Sequence, residues 1–311
     1  MSRERPMSEF PIRRVDRSSA QAMEPLGSKP KFWFREEERR LLFKGEERGT
    51  GEDWSEVIAC HLCGLLGLPH VEYELAVECD GERDIRPGVV CTNMAPSPLT
   101  LVLGNELLLG VDPTYPRDER SKYKVRQHTV EAVSEVVSTL ELPGGQWMAS
   151  YPDGIRSALD VFAGYVMLDA WIANQDRHHE NWGAIRDNDV LRLAPTFDHA
   201  AGLARNLADL EREDRLTTKD RGRSVAAFAR RGRSAFYRSM VEPRAMELCE
   251  AFLVFAERVP QAKNTWLERL RAVNKDAIQG ILDRVPVFRM SDTCKRFTLE
   301  LLLTNQERLL E

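Results

Sequence analysis

Residues 155–173 constrain this chain more than any other stretch. Leu159, Phe162, Ala163, Val166, Met167, Ala170 and Ile172 leave the run apolar nearly all round. A helix with no polar face has to lie inside the protein, covered on every side. It runs directly into Asn174-Gln175-Asp176-Arg177-His178-His179-Glu180-Asn181-Trp182-Gly183. A polar loop that leaves a buried helix has the rigid support that positioned side chains need. Beyond it, residues 183–186 and 190–194 read as two short strands around the turn Asp187-Asn188-Asp189. A tight hairpin returns its ends to one place, so Asn181 should finish near Asp198, which closes Pro195-Thr196-Phe197-Asp198. Two oxygen donors at the open end of a hairpin can grip one hard cation. Magnesium needs few protein ligands when nucleotide phosphates supply the rest. An Asp/Asn-rich turn can also be only a turn, and an Asp-x4-Asn spacing arises by chance in many chains. Here the buried helix, the hairpin and the second Asp together favour a site.

At 311 residues, with 42% apolar and 30% charged, the chain can bury one large core or the cores of two lobes. A formal net charge of -5 gives no global case for nucleic-acid binding, and no direct contact with nucleic acid is expected. No apolar run reaches transmembrane length, and no signal-like apolar region opens the chain. The expectation is a cytoplasmic protein with no membrane association. Six cysteines in a chain this long are not a disulfide framework. Cys60 and Cys63 flank His61 in a C-x-x-C without a second ligand pair at zinc spacing, so they read as small core residues on a helix.

Residues 1–24 are polar and Arg-rich and read as a mobile arm, in which Phe10-Pro11-Ile12 could add an edge strand. Phe32-Trp33-Phe34 and Leu41-Leu42-Phe43-Lys44 read as a hairpin, with Lys44 on the face of Leu42. A helix follows over 54–66, striped by Val57, Ile58, Leu62, Leu65 and Leu66 and stopped by Gly67. Glu56 lies in its first turn. Lys44 and Glu56 are either a phosphate-facing ion pair or, separately, a solvated strand end and a residue favoured by the helix dipole. Residues 71–77, 88–91 and 99–103 read as further strands of a strand-rich first third. From residue 129 onward the pattern is helical: 130–140, 155–173, 244–258, 265–282 and 292–310. Residues 205–223 alternate acid and base, either as a mobile substrate-binding segment or as a solvated helix with i,i+4 pairs.

The ordered set Lys44, Glu56, Asp176, Asn181, Asp198 resembles the protein-kinase-like fold. Asn174-x-Asp176-Arg177-His178-x-x-Asn181 and Ala194-Pro195-x-Phe197-Asp198 are similar to the HipA-like serine/threonine kinases, the toxin half of bacterial toxin–antitoxin pairs. The resemblance covers about residues 27–311. It implies an α+β, two-lobed fold: a small strand-rich N-lobe over 25–110 and a larger helical C-lobe over 111–311. It also implies an ATP- and Mg2+-dependent kinase acting on a Ser or Thr hydroxyl of a cytosolic protein, and possibly on itself, as a growth-arresting toxin. In the roles it carries over, Asp176 is the base or orients the hydroxyl, and Asn181 and Asp198 bind magnesium. Lys44 holds phosphate and Glu56 positions Lys44. His178 either faces the γ-phosphate or braces the loop. Gly27 and Ser28 fall where the family has its phosphate loop, and Ser28 is the candidate for regulatory autophosphorylation. The adenine-contacting link falls either at 91–94 or at 103–107.

Longer HipA proteins carry an N-terminal module where this chain has only a short arm. The partner implied is a HipB-like antitoxin or a separate small protein supplying that module. Phosphatidylinositol kinases share the Asp-Arg-His-x-x-Asn loop, so a lipid or small-molecule acceptor is the alternative. A catalytically silent nucleotide-binding module is a second rival. A metal-dependent hydrolase built on His178, His179 and Glu180 is a third.

Overall fold

The computed structural model describes residues 8–23, 30–46, 49–116 and 124–311. Alternating apolar residues in the first third build one twisted six-stranded sheet. Its strands are β1 (Arg13–Asp16), β2 (Ala22–Met23), β3 (Lys31–Glu36), β4 (Arg39–Gly45), β5 (Tyr73–Asp80) and β6 (Arg83–Thr92). They lie in the order β1-β5-β6-β4-β3-β2. Only the β1–β5 pair is parallel. Period-2 alternation gives the sheet two apolar faces. Phe32, Phe34, Leu41, Phe43, Ala76 and Val90 form a small core on one side. Leu42, Tyr73, Leu75, Val89 and Cys91 face the main core on the other, with helix α1 (Glu52–Leu66) packed over them. Lys44, two residues after Leu42, therefore points to the α1 side. Gly67 ends α1 in a left-handed cap (φ 75°), and its N–H returns to the Cys63 carbonyl.

The rest is mostly helical: α2 (Gly104–Val111), α3 (Val130–Ser138), α4 (Ala158–Trp171), α5 (Asp209–Thr217), α6 (Val225–Ala229), α7 (Leu248–Ala256), α8 (Pro260–Ala272), α9 (Lys275–Asp283) and α10 (Asp292–Leu310). A three-stranded sheet, β7 (Thr100–Leu103), β8 (Gly183–Asp187) and β9 (Val190–Leu193), sits among them in that order. Helix α4 opens with a capping box between Ser157 and Asp160. It is buried almost throughout, as its all-round apolar sequence demands, and α3, α7, α8 and α10 pack against it. The fold is α+β.

Several elements depart from the sequence expectation. Residues 8–23, assigned to an arm, are docked: the Phe10 N–H donates to the Arg284 carbonyl at 2.7 Å and its ring stacks on His61 at 4.6 Å. Sheet pairing of β1, just beyond Phe10-Pro11-Ile12, adds to this anchorage. Strand β7 pairs with β8, not with the six-stranded sheet, so it joins the hairpin after the polar loop. The single helix expected over 265–282 is two, because Asn274 caps the start of α9 with its side chain. Pro260 opens α8 at its first turn, where its missing N–H has no intrahelical partner to lose. In 205–223, the described helix α5 carries an i,i+4 pair from Arg215 to Glu211 at 2.7 Å, which is the solvated-helix reading.

Candidate active site

Helix α4 ends at Trp171 with Ile172 as its cap, and Ala173 turns the chain with a positive φ of 53° into the polar loop. The loop is built around a buried ion pair. Asp169, on the last turn of α4, accepts from Arg177 Nε at 2.7 Å and from Nη2 at 2.8 Å. Asn174 Nδ2 adds a third bond to the same carboxylate at 2.7 Å. Arg177 Nη1 then reaches the Asn181 carbonyl at 2.9 Å, closing the loop across its base. Both charged side chains are almost wholly buried. A bidentate guanidinium–carboxylate pair fixes orientation as well as charge. Asp169, the buried acid at the end of α4, is there to hold Arg177.

Asp176 and Asn181 meet on the outer side of this brace. Asn181 Nδ2 donates to the Asp176 carbonyl at 2.6 Å and lies 3.4 Å from Asp176 Oδ2. The amide nitrogen is thereby committed, and Oδ1 is the atom Asn181 can offer a cation. His178 Nε2 stands 3.7 Å from Asp176 Oδ1, too far for a hydrogen bond, while its Nδ1 accepts from the Glu180 N–H at 3.1 Å. His179 points elsewhere, with Nδ1 at 2.9 Å from the Tyr115 hydroxyl. Among the described residues no group of three His, Cys, Asp or Glu is arranged to hold a metal, so the hydrolase reading lacks its ligand set.

The hairpin β8–β9 carries the chain from Trp182 back toward Asp198, as Ala194 N–H bonds the Gly183 carbonyl at 3.0 Å. The segment before Asp198 is tied to the entry of β5: Thr196 N–H to the Pro69 carbonyl at 2.9 Å, and Val71 N–H to the Thr196 carbonyl at 3.0 Å. Tyr73, two residues past Val71 on the same face, consequently lies beside Asp198. Asp198 has a left-handed backbone (φ 60°), a conformation that Asp tolerates better than most residues.

Lys44 occupies the centre of this second cluster. Its Nζ is 3.3 Å from Glu56 Oε1, 3.5 Å from Asp198 Oδ1 and 3.3 Å from the Tyr73 hydroxyl. The Tyr73 oxygen also accepts from the Asp198 N–H at 3.3 Å. Glu56 Oε2 accepts from the His199 N–H at 2.8 Å, so this one carboxylate holds both the lysine and the chain just after Asp198. Ser55 Oγ adds bonds to the His199 and Gly202 carbonyls at 3.1 and 3.3 Å, fastening α1 to that segment. Burial disfavours the Lys44 ammonium, but Asp198, Tyr73 and Glu56 outweigh it and keep it charged well past its ordinary range. Burial pushes Glu56 up to about 7; Lys44 opposes the shift and Asp198 reinforces it. Two carboxylates thus contact one ammonium. The carboxylate oxygens of Asp198 are the hard donors that a divalent cation takes. Burial drives His199 well below its usual pKa, keeping it neutral, with Nε2 at 2.8 Å from Thr196 Oγ1.

The structure therefore brings Lys44, Glu56 and Asp198 into one contact group and Asp176, His178 and Asn181 into another, at the two ends of the hairpin's return path. Gly27 and Ser28 lie outside the described residues. Sequence reasoning missed Tyr73 and the role of Asp169. A tyrosine in an alternating strand carries no signal of its own. An acid in the last turn of a buried apolar helix does, far from the N-terminal end where Asp160 serves as a cap.

No protein-family model matches the chain, and no curated protein matches it. Solved structures do. The Helicobacter pylori proinflammatory kinase CtkA superimposes with a TM-score of 0.69 at 17% identity, over 96% of this chain and 96% of that one. The HipA toxin of Shewanella oneidensis MR-1, solved with HipB and operator DNA, gives a TM-score of 0.53 at 9% identity. That match covers 93% of this chain and 65% of HipA. The chain has the HipA-like, protein-kinase-like fold that these two share.

Proposed function

We propose that the chain is an ATP- and magnesium-dependent kinase of HipA-like type that phosphorylates a Ser or Thr hydroxyl on a protein. The observation that carries this reading is Lys44 Nζ held between Glu56 and Asp198 at 3.3 and 3.5 Å. A strand lysine kept charged by a helix glutamate, next to an acid suited to a cation, is the arrangement phosphoryl transfer needs. The six-stranded sheet with α1 is the lobe that holds the nucleotide, and the helices with the β7–β9 sheet are the lobe that holds the acceptor. Lys44 binds phosphate oxygens and Glu56 keeps its ammonium aimed. Asn181 Oδ1 and Asp198 hold magnesium, which neutralises charge on the phosphates. Asp176 aligns the acceptor hydroxyl and receives its proton, with His178 bracing the loop beneath it. Catalysis then rests on positioning and electrostatic stabilisation. A phosphate on Ser28, which the family resemblance assigns to the phosphate loop, would add about -2 charge and switch the enzyme off. The biological role that fits is a growth-arresting toxin restrained by a HipB-like partner.

The test is incubation with labelled ATP and magnesium, read by mass spectrometry. Wild type incorporates or transfers phosphate; Asp176→Ala and Asp198→Ala do not, while both remain folded. Transfer at the wild-type rate by either variant contradicts the assignment. Nucleotide binding by wild type without any transfer identifies a silent module instead.

A further inference from the structure

We propose that an arginine-rich surface beside Asp176 selects acceptor hydroxyls flanked by acidic residues, so that the substrate is an acidic segment of a protein. This rests on the kinase reading above and names its substrate class. Between Arg221 and Arg244 the chain places seven arginines and one acid, Glu242, although its net charge is -5. Arg230, Arg231, Arg233, Arg238 and Arg244 are all exposed. Arg238 pairs with Glu250 at 2.9 Å, whereas Arg233 and Arg244 make no ion pair among the described residues. Arg233, Arg238 and Arg244 line a cleft of about 290 Å³, with Glu242 and Glu250 as its acids. Three guanidinium groups against two carboxylates leave that cleft with surplus positive charge.

Its position ties it to the site. The Arg233 N–H donates to Gln175 Oε1 at 3.1 Å, and Gln175 is the residue before Asp176. The supporting backbone is anchored: Ser234 N–H bonds the Met246 carbonyl and Met246 N–H the Phe236 carbonyl, both at 2.9 Å. Phe236 is buried beneath them. The arginines are thus presented on a rigid base, which limits the entropy lost when they engage a carboxylate. Arginine's planar fork matches carboxylates in pairs. A nucleic acid fits less well. The two acids interrupt any phosphate track; Phe236 and Tyr237 are buried, and the half-buried Phe228 ring already lies under the Arg215 guanidinium.

The experiment measures binding and transfer separately. Three Ser-containing peptides of equal length, one Glu/Asp-rich, one neutral and one Lys-rich, are titrated by fluorescence anisotropy against wild type, Arg233→Glu/Arg244→Glu and Arg233→Lys/Arg244→Lys. A single-stranded RNA of similar charge is run alongside. The expected result is preference for the acidic peptide, lost about tenfold or more on charge reversal, kept only in part by the lysine variant, which retains the charge but not the fork, and weakened by salt. If charge reversal unfolds the protein, Arg233→Gln/Arg244→Gln carries the test, with a smaller expected loss. Equal affinity for acidic and neutral peptides, indifference to charge reversal, or arginine-dependent preference for the RNA overturns the proposal. Failure of the kinase reading shows elsewhere: no stabilisation by magnesium and ATP and no transfer to any peptide, with acidic-peptide binding unchanged.

Discussion

Removing Arg177 should be far more damaging than its place in a loop suggests. Its guanidinium supplies two of the three hydrogen bonds to the Asp169 carboxylate and, among the described residues, the one cation paired with it. Arg177→Leu leaves a carboxylate buried with one amide donor, and leaves the Asn181 carbonyl without its 2.9 Å bond. Breaking a buried pair from one side costs about 3–5 kcal/mol, and an orphaned buried carbonyl about 1–3 more. The expected loss is therefore roughly 4 kcal/mol or above, a large part of the 5–15 kcal/mol typical of a whole domain. Asp169→Leu alone strands the guanidinium and should cost about as much. Asp169→Leu with Arg177→Met removes both charges and should lose much less than the sum, giving a coupling of roughly 3 kcal/mol. Urea denaturation of the wild type, the two single variants and the double variant measures that cycle. Additive losses, or a single-variant loss under about 1 kcal/mol, would refute the view that this pair braces the loop carrying Asp176 and Asn181.

Tyr73→Phe removes the hydroxyl shared by Lys44 and the Asp198 N–H. It should cost about 1 kcal/mol of stability and raise KM for ATP, both readable by calorimetry and steady-state kinetics. Glu56 has a folded pKa raised to about 7 from an ordinary value of 4.5, so the protein alone gains stability from this group at low pH and loses it as pH rises between those values. Glu56→Gln should flatten that part of a Tm–pH profile, and an unchanged slope would count against the Lys44–Glu56–Asp198 cluster. Gly183→Ala places a methyl 2.3 Å from the Val102 carbonyl oxygen, so β7 and β8 must move apart. A loss of about 1–3 kcal/mol is expected in thermal melts.

The local elements are legible from the sequence because each is encoded within a few residues. The apolar run ahead of Asn174 has to be a buried helix. Asp187-Asn188-Asp189 has to turn a hairpin, and Asn188 does so with a positive φ of 53°. Alternation in β4 puts Lys44 and Leu42 on one face, and a strand lysine followed by a helix glutamate anticipates atoms that meet at 3.3 Å. What sequence could not supply is which distant segments share space. Strand β7 reads as the end of the first sheet, yet its free edge finds β8 some 80 residues later. Tyr73 becomes a neighbour of Asp198 only because Val71 and Thr196 pair across the core. Asp169 looks like a misplaced charge until Arg177 folds back over it. Periodicity and turn chemistry act over one or two turns of chain, whereas hydrogen-bond satisfaction in the interior is settled only when the whole core closes, and at this site that closure chooses the partners.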